Sequence, residues 1–332
     1  MEYVRLGRTG LQVSKLCLGT MTFGLQCDEP TSLAILDAAY GAGITFIDTA
    51  DVYPLGGGHE SVGRTEEIVG SWLAAHPGRR DDIVLATKCV GSMGDRPWQA
   101  GASRRHIVEA VDASLRRLGV DRIDLYQLHS PDPATPIDET LQALDDLVRA
   151  GKVAYVGCSN FLACQVARAV GRSEALGVAR FDSIQPRYNL PFRQIERELL
   201  PLAAEESIGV IPYNPIAGGM LTGKHHRGAP TSGTRFTLGS AQGRYQDRYW
   251  NDAAFDTVDE LAPLAAEAGV SLTTLAVSWV LANPAITAPI IGASRPEQLA
   301  DSVAALEHPL DADLKARLDD LTAAYRLGDS AR

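Results

Sequence analysis

Short apolar runs rich in β-branched residues recur along the chain, and each is bounded by glycine or by a polar residue. Eight such runs begin, in order, at Lys15, Ile44, Ile83, Ile123, Val153, Phe181, Ile208 and Ile286. Continuous apolar runs are typical of parallel strands buried on both faces, whereas a half-exposed sheet alternates apolar and polar residues. The pattern therefore predicts eight parallel strands.

The segments between these runs have a helical period. The apolar stripe within residues 107–118 is followed by Gly119, which is typical of a helix C-terminus. Farther along, Thr135 is the predicted N-cap of a helix that has Pro136 at its first position. Pro201 falls inside a later helical segment and predicts either a kink or a late helix start.

Eight alternating strand–helix units predict an α/β fold, namely a (β/α)8 TIM barrel. We expect one barrel domain over residues 1–332, with two auxiliary helices and an N-terminal β-hairpin that plugs the barrel floor. A doubly wound sheet is the rival fold, but it requires a glycine-rich fingerprint after an early strand, and the chain has none. The Gly/Ser/Thr-rich stretch from about Gly228 to Gly243 is a candidate mobile lid.

Composition narrows the class of protein. The 332 residues are 45% hydrophobic and 22% charged, which excludes disorder of the whole chain. A net charge of −10 argues against a nucleic-acid or anionic-membrane binder, so an anionic ligand would need a local cluster of cations. The five scattered cysteines form no CxxC pair and predict reduced thiols. With neither a signal-peptide pattern nor a long apolar run, we expect a cytoplasmic protein.

Polar residues follow several of the predicted strands. They are Asp48 with Tyr53 shortly after it, then Lys88, then His129. Each has a structural explanation when taken singly, but the strands of a barrel bring their carboxyl ends to one mouth. A lysine beside a tyrosine would stabilise the phenolate and make the phenol more acidic, and a carboxylate beside the lysine would keep the lysine charged. Such a tyrosine suits protonation of an oxygen as hydride reaches its carbon.

These residues lie within a longer series of motifs that resembles the aldo-keto reductase family over nearly the whole chain. The similarity is closest to the bacterial branch related to potassium-channel β subunits. The motifs are Phe46-Ile47-Asp48-Thr49-Ala50-Asp51-Val52-Tyr53, Thr87-Lys88, Leu128-His129, Gly157-Cys158-Ser159-Asn160-Phe161, Gln185, Tyr213-Asn214-Pro215, Leu221-Thr222-Gly223-Lys224 and Ile290-Ile291-Gly292-Ala293-Ser294-Arg295.

The resemblance implies roles for these positions. Tyr53 would be the proton donor of a tetrad completed by Asp48, Lys88 and His129. An NADP(H) cofactor would lie across the mouth, with its nicotinamide, phosphates and adenosine held by Met21, Ser159, Asn160, Gln185, Tyr213, Leu221, Gly223, Lys224, Gly292, Ser294, Arg295 and Gln298. Tyr213 would stack on the nicotinamide ring. Ser294 and Arg295 would bind the 2′-phosphate, which favours NADP(H) over NAD(H).

Three further patterns have competing explanations. Residues 218–225 nearly spell a phosphate-binding loop, but His225 stands where a magnesium ligand is required. His225 and His226 do not make a metal site, and a solvated basic patch is the better interpretation. Ser294 is also a good helix N-cap. Arg187 could meet an anionic substrate or equally pair with an acid; Trp98, Tyr188, Tyr249 and Trp250 could likewise wall a pocket or pack elsewhere.

The sequence therefore predicts an NADPH-dependent oxidoreductase that reduces an aldehyde or ketone to an alcohol, with no metal. Its partner is a small carbonyl compound. One alternative is a cofactor-binding, redox-sensing subunit of a larger assembly, and another is a reductase of a nucleotide-linked keto sugar. The physiological substrate, the reaction direction and the oligomeric state are left open by these motifs.

Overall fold

The computed structural model describes residues 1–327. An antiparallel hairpin opens the chain, formed by β1 (Tyr3–Arg5) and β2 (Gln12–Ser14). One strand follows in each of the eight predicted apolar runs. They are β3 (Cys17–Gly19), β4 (Phe46–Asp48), β5 (Val84–Cys89), β6 (Ile123–Leu128), β7 (Val153–Ser159), β8 (Ser183–Gln185), β9 (Gly209–Val210) and β10 (Ile290–Ile291).

These eight strands are parallel, and their order is β10-β3-β4-β5-β6-β7-β8-β9. Hydrogen bonds also join the two outer strands of that series. The amide of Ile290 donates to the Pro212 carbonyl at 2.8 Å, and the amide of Thr287 donates to the Val210 carbonyl at 2.8 Å. The sheet therefore closes on itself, which confirms the predicted (β/α)8 barrel.

Helices follow the strands and cover the outside of the barrel. They are α1 (Glu29–Gly41), α2 (Arg64–Ala75), α3 (Arg79–Asp82), α4 (Arg104–Leu118), α5 (Ile137–Arg149), α6 (Ala163–Leu176), α7 (Leu199–Glu205), α8 (Gln242–Tyr249), α9 (Asp252–Glu267), α10 (Leu272–Leu281), α11 (Leu299–Ala304) and α12 (Ala312–Leu321). Helices α8, α9 and α10 all lie in the connection between β9 and β10, so this connection holds most of the structure added to the basic barrel.

Three helix boundaries can be compared with the sequence-based predictions. Helix α4 ends before Gly119, whose φ of 65° gives the predicted left-handed stop. Helix α7 starts late, with Pro201 in its first turn, as the sequence predicts. The predicted N-cap of α5 is wrong, because Pro136 takes that position. The Thr135 hydroxyl instead donates to Asp132 at 2.7 Å, a competing hydrogen bond with a nearby loop carboxylate.

The N-terminal hairpin closes the amino-terminal end of the barrel, as predicted. Leu6 and Val13 are fully buried against interior residues such as Phe46 and Leu125. The turn requires glycine at residue 7, because its φ is +56° and a Cβ there would lie 2.6 Å from the Gly209 nitrogen. With this end filled, the open mouth of the barrel is at the carboxyl ends of the strands.

The segment predicted to be a mobile lid, from about Gly228 to Gly243, lies at that mouth. The Gln26 amide donates to the Gly233 carbonyl at 3.1 Å, and the Ser240 amide donates to the Gly56 carbonyl at 3.1 Å. The segment thus lies on the loops that follow β3 and β4, and α8 comes directly after it. In residues 1–327 no single helix combines the length and apolar composition that a membrane span requires; α9 and α10 satisfy the criteria only as a pair bent by 90°.

Candidate active site

Four polar side chains meet where β4, β5 and β6 end. Lys88 on β5 donates through Nζ to the carboxylate of Asp48 and, at 2.8 Å, to the carbonyl oxygen of Thr49. The same nitrogen lies 3.5 Å from the hydroxyl oxygen of Tyr53. His129 follows β6 directly, and its ring packs edge-on against the Tyr53 ring with centroids 5.6 Å apart. The barrel therefore brings all four predicted tetrad residues together.

Lys88 is an ammonium group in this site although it is completely buried. Burial would by itself lower its pKa, but the Asp48 carboxylate and the Tyr53 phenol outweigh that effect, and the net pKa is raised. Breaking such a pair would leave a buried charge without compensation. The pair therefore fixes both the position and the charge of the lysine.

The pKa of Tyr53 differs from the one that the sequence predicts. Burial raises its pKa to about 12, and the opposing effect of the Lys88 ammonium does not cancel that rise. The expectation that lysine leaves a net acidified phenol is therefore wrong for this structure, because desolvation of the phenolate is the larger effect. The consequence is a protonated phenol at neutral pH, beside a cation that stabilises the phenolate once the proton has left.

His129 carries no charge at neutral pH. Burial, followed by the nearby Lys88 ammonium, lowers its pKa to about 3. A neutral imidazole has one N–H donor and one acceptor. His129 can therefore donate a hydrogen bond to an oxygen in the cavity without releasing a proton to it.

Two glutamines complete the hydrogen bonding of Asp48. The side-chain amides of Gln127 and Gln185 donate to its second carboxylate oxygen at 3.0 and 2.9 Å. Gln127 was not among the predicted site residues. Its one signal in the sequence is that it is a polar residue within the apolar run of β6, where a buried amide needs a partner.

One cavity of about 850 Å³ opens at this end of the barrel. Most predicted site residues line it, namely Met21, Asp48, Tyr53, His129, Ser159, Asn160, Gln185, Tyr213, Lys224, Gly292, Ser294, Arg295 and Gln298. Three do not. Lys88 lies beneath Tyr53; Leu221 is buried in the hydrophobic core; Gly223 is exposed beside the lining residue Lys224.

One part of the cavity wall is a hydrogen-bonded group from three strand ends. Asn160 has a left-handed φ of 63°, and its amide nitrogen donates to the His129 carbonyl at 2.9 Å. Its amide oxygen accepts from the Tyr213 hydroxyl at 2.8 Å. The Ser159 hydroxyl donates to the Gln185 carbonyl at 2.7 Å. These contacts hold the predicted nicotinamide residues beside the tetrad.

Two cations face another part of the cavity. Lys224 and Arg295 both line it, and partial burial, and next the Arg295 guanidinium, lower the pKa of Lys224. The Ser294 amide and hydroxyl both donate to the Gln298 side chain, at 2.8 and 3.1 Å. Ser294 is therefore not a helix N-cap; Arg295 is the N-cap of a one-turn 3₁₀ helix, Pro296–Gln298, and its side chain makes no capping hydrogen bond. An anion between Lys224 and Arg295 would relieve their mutual repulsion.

The lid contributes further groups. Arg235 contacts the sulfur of Met21 at 3.7 Å and donates to the Tyr245 hydroxyl at 3.1 Å. His225 is buried, and its ring packs against Phe236 with centroids 5.0 Å apart. The expected solvated patch is therefore wrong for His225, because the lid covers it. Burial lowers the pKa of His225 to about 4.

The four aromatic residues that could have formed the pocket wall lie outside it. Tyr188 and Tyr249 are buried, Trp98 is 39% exposed, and Trp250 packs beside His225; none of the four lines the cavity. Within residues 1–327 there is no group of three or more His, Cys, Asp or Glu side chains arranged to hold a metal ion.

Comparison with known proteins places this geometry in a family. The chain is 40% identical to an uncharacterized oxidoreductase of Bacillus subtilis (strain 168), over 97% of this chain and 96% of that protein. It is 38% identical to a probable voltage-gated potassium channel subunit beta of Arabidopsis thaliana, over 92% of each chain. It is 34% identical to a versiconal hemiacetal acetate reductase of Aspergillus parasiticus, over 92% of this chain and 93% of that protein.

The family model agrees with these relatives. The aldo/keto reductase family model matches residues 15–323, which include the whole barrel, the four tetrad residues and the lid. Oxidoreductases that act on carbonyl groups make up this family. The chain belongs to the aldo/keto reductase family.

Proposed function

We propose that this protein is an NADPH-dependent reductase that converts an aldehyde or ketone to an alcohol, with Tyr53 as the proton donor. The observation that carries the proposal is one arrangement: the protonated Tyr53 hydroxyl lies 3.5 Å from the Lys88 ammonium at the base of the cavity. A proton donor beside a fixed cation suits a reaction in which negative charge develops on a carbonyl oxygen.

Each of the four tetrad side chains has its own role in this reaction. Tyr53 transfers its proton to the carbonyl oxygen, and Lys88 stabilises the phenolate that remains. His129 donates a hydrogen bond that orients the same oxygen, and Asp48 holds Lys88 in place. A reduced nicotinamide, if bound beside the tetrad, would supply a hydride for the carbonyl carbon.

Two features of the cavity support a dinucleotide cofactor. Asn160, Ser159 and Gln185 present side chains beside the tetrad, where they would hold the carboxamide of a nicotinamide. Lys224 and Arg295 also line the cavity, where they would hold phosphate groups. The pairing of two cations supports NADP(H) over NAD(H), because the former carries one more phosphate.

One relative suggests a second candidate function. The Arabidopsis thaliana relative is named as a probable voltage-gated potassium channel subunit beta. A protein of this fold could therefore bind the cofactor and serve as a redox-sensing subunit rather than as a reductase. The complete tetrad favours the reductase. The five free cysteines support a reducing compartment such as the cytoplasm for either function.

Tyr53→Phe tests the reductase function directly. We expect NADPH binding to persist within about threefold, because the lost hydroxyl does not belong to the proposed cofactor contacts. We expect turnover of any accepted aldehyde to fall by about a hundredfold or more, as expected for loss of a general acid. Tyr40→Phe is the matched control, since the Tyr40 hydroxyl bonds to Asp82 away from the cavity. Wild-type protein that binds NADPH but consumes none with a panel of small aldehydes would favour the redox-sensing subunit.

A further inference from the structure

A triangle of buried side chains connects the tetrad with the cavity wall. Gln127 on β6 and Gln185 on β8 both donate through Nε2 to the same oxygen, Oδ2 of Asp48, at 3.0 and 2.9 Å. The Nε2 of Gln185 also donates to the Oε1 of Gln127 at 3.2 Å. Gln127 is completely buried and does not line the cavity, whereas Gln185 does. Gln127 can therefore act on a bound molecule only through its neighbours.

The direction of every hydrogen bond in this triangle follows from Asp48. The other oxygen of its carboxylate is bound to the buried ammonium of Lys88, and an ionised carboxylate offers acceptors only. Each glutamine must therefore turn its NH2 group toward Asp48. The oxygen of Gln127 is then free to meet the second N–H of Gln185. Both amide hydrogens of Gln185 are thus used inside the barrel.

The amide oxygen of Gln185 is left for the cavity. It accepts no hydrogen bond from residues 1–327, yet it is not sealed off from solvent, and Gln185 lines the cavity. The main chain of this residue is held as well, because its carbonyl oxygen accepts from the Ser159 hydroxyl at 2.7 Å and from the main-chain amide of Asn160 at 3.2 Å. Gln185 therefore presents a fixed acceptor, and its own NH2 group points away from the cavity.

The backbone of β7 leaves room for this arrangement. Gly157 pairs with Gln127 on one side and with Ser183 of β8 on the other. A Cβ at residue 157 would lie 3.3 Å from the Cγ of Gln127 and 2.3 Å from the Oγ of Ser183. A side chain at this position would therefore crowd Gln127, and glycine keeps open the space that its amide occupies.

We propose that Gln127 is a positioning residue that, together with Asp48, fixes the polarity of the Gln185 amide, so that the cavity presents an acceptor to the NH2 group of a nicotinamide carboxamide. The inference rests on the proposed nicotinamide cofactor and adds what decides which end of its carboxamide Gln185 recognises. It also links the tetrad to the cofactor, because the carboxylate that holds Lys88 is the group that orients Gln185.

The first experiment changes one group of the cofactor. Wild-type protein is titrated with NADP+ and with its 3-acetylpyridine analogue, in which a methyl group replaces the carboxamide NH2, and binding is followed by protein fluorescence. We expect the analogue to bind about tenfold more weakly or worse, because it leaves the Gln185 oxygen without a donor. Equal affinities would overturn the inference and would leave the reductase function standing.

Asp48→Asn tests the polarity itself. Lys88 still requires an oxygen from residue 48, so the new NH2 group should face the two glutamines, and both of their amides should reverse. Gln185 would then present its NH2 group to the cavity, where the carbonyl oxygen that both compounds carry can accept it. We expect the two Kd values to come within about threefold of each other. A ratio that stays near the wild-type value would show that the Gln185 amide does not set it.

A matched control removes a carboxylate elsewhere. Asp112 also pairs with a lysine, Lys152, but lies outside the cavity, so Asp112→Asn should keep the wild-type ratio of Kd values. If it changes the ratio as much as Asp48→Asn does, the change does not come from the Gln185 amide and the inference is wrong.

Gln127→Met removes the second acceptor of Gln185 and keeps a side chain of similar length. One hydrogen of the Gln185 amide then has no partner, so the amide is held less firmly. We expect the Kd for NADP+ to rise by about threefold or more, while the Kd for the analogue changes by less than about twofold. Tyr126→Phe changes the next residue of β6, on the opposite face of the strand, and should alter neither value. Equal weakening of both compounds by Gln127→Met would mean that Gln127 supports only the fold, and the inference would be wrong.

Titrations with NAD+ and its 3-acetylpyridine analogue separate this inference from the other proposals. The ratio of Kd values should match that of the NADP+ pair, because the 2′-phosphate is at the opposite end of the dinucleotide. None of these measurements needs an aldehyde, so a protein that reduces no carbonyl would lose the reductase function and still test the inference. If none of the four compounds binds, the nicotinamide site and the inference fail together.

Discussion

The hydroxyl oxygen of Tyr53 lies 3.5 Å from the amine nitrogen of Lys88, and both groups are buried. At this distance the ammonium can stabilise a phenolate, yet burial keeps the resting phenol protonated with a pKa of about 12. The pair thus combines a donor that retains its proton at neutral pH with a cation ready to stabilise the charge left by proton transfer.

Lys88→Met should disable the site and destabilise the protein. It removes the cation beside Tyr53 and leaves the buried Asp48 carboxylate without its partner. We expect aldehyde turnover to fall by about a hundredfold or more, and the free energy of unfolding to fall by about 3–5 kcal/mol. Single-turnover NADPH oxidation and urea unfolding would measure the two effects.

The double variant Asp48→Asn/Lys88→Met separates the two effects. It should recover part of the lost stability, because no unpaired buried charge remains, while turnover stays low. Turnover of the single variant within tenfold of wild type would contradict the role given to Lys88.

The pH profile of carbonyl reduction should lack a histidine ionisation. His129 has a pKa lowered to about 3 and so stays neutral throughout the usual assay range. We expect kcat/KM at saturating NADPH to show no limb near the ordinary histidine pKa of about 6.5. Initial rates between pH 5 and pH 9, at constant ionic strength, would check this. A limb in that region that disappears in His129→Gln would show that the imidazole titrates during the reaction.

Arg295→Leu should affect one cofactor more than the other. If the Lys224–Arg295 pair binds a 2′-phosphate, loss of the guanidinium removes a charge-assisted hydrogen bond worth about 1.5–3 kcal/mol. We therefore expect the Kd for NADPH to rise about tenfold to a hundredfold, with a much smaller change for NADH. Fluorescence titration with both cofactors measures this, and an equal loss for the two would assign Arg295 to another role.

Asp182 should make stability decline as pH rises. Burial raises its pKa from 3.8 to about 6, so the folded protein holds a proton that the unfolded chain releases between those values. A carboxyl group whose pKa is raised by folding lowers the free energy of unfolding at pH values above its folded-state pKa. It has no such effect at pH values below its unfolded-state pKa. Asp182→Asn should therefore gain about 1–2 kcal/mol at pH 8, with allowance for partial exposure, and about zero at pH 3.5.

Urea unfolding at the two pH values measures the difference between Asp182→Asn and wild type. The exposed Asp121→Asn is a matched control that should show no such pH dependence. A gain of equal size at both pH values would mean that packing, rather than the buried carboxyl, explains the effect.

Local chemistry in the sequence accounts for much of this molecule and misses particular parts of it. The cap of α4 depends on Gly119 and its neighbours in the chain, and it is predicted correctly. The cap of α5 is not, because Thr135 bonds to Asp132 in the preceding loop. The sequence predicts a solvated His225, but the rings of Phe236 in the lid and of Trp250 after α8 pack against it. Gln127 gains its importance only from Asp48 on another strand.

The sequence by itself determined the strand–helix alternation, because parallel strands buried on both faces require continuous apolar runs. It also determined which polar residues end those strands. Only the tertiary structure decided the pKa of Tyr53 and which charged residues line the mouth. Closing the barrel removes water from Tyr53, so the effect of desolvation on its pKa outweighs that of the neighbouring lysine. Helix α8 adds Arg244 and Arg248 to the wall of the cavity that Arg187 also lines. Both effects depend on distances between segments far apart in the chain, and pKa values and local charge follow from those distances.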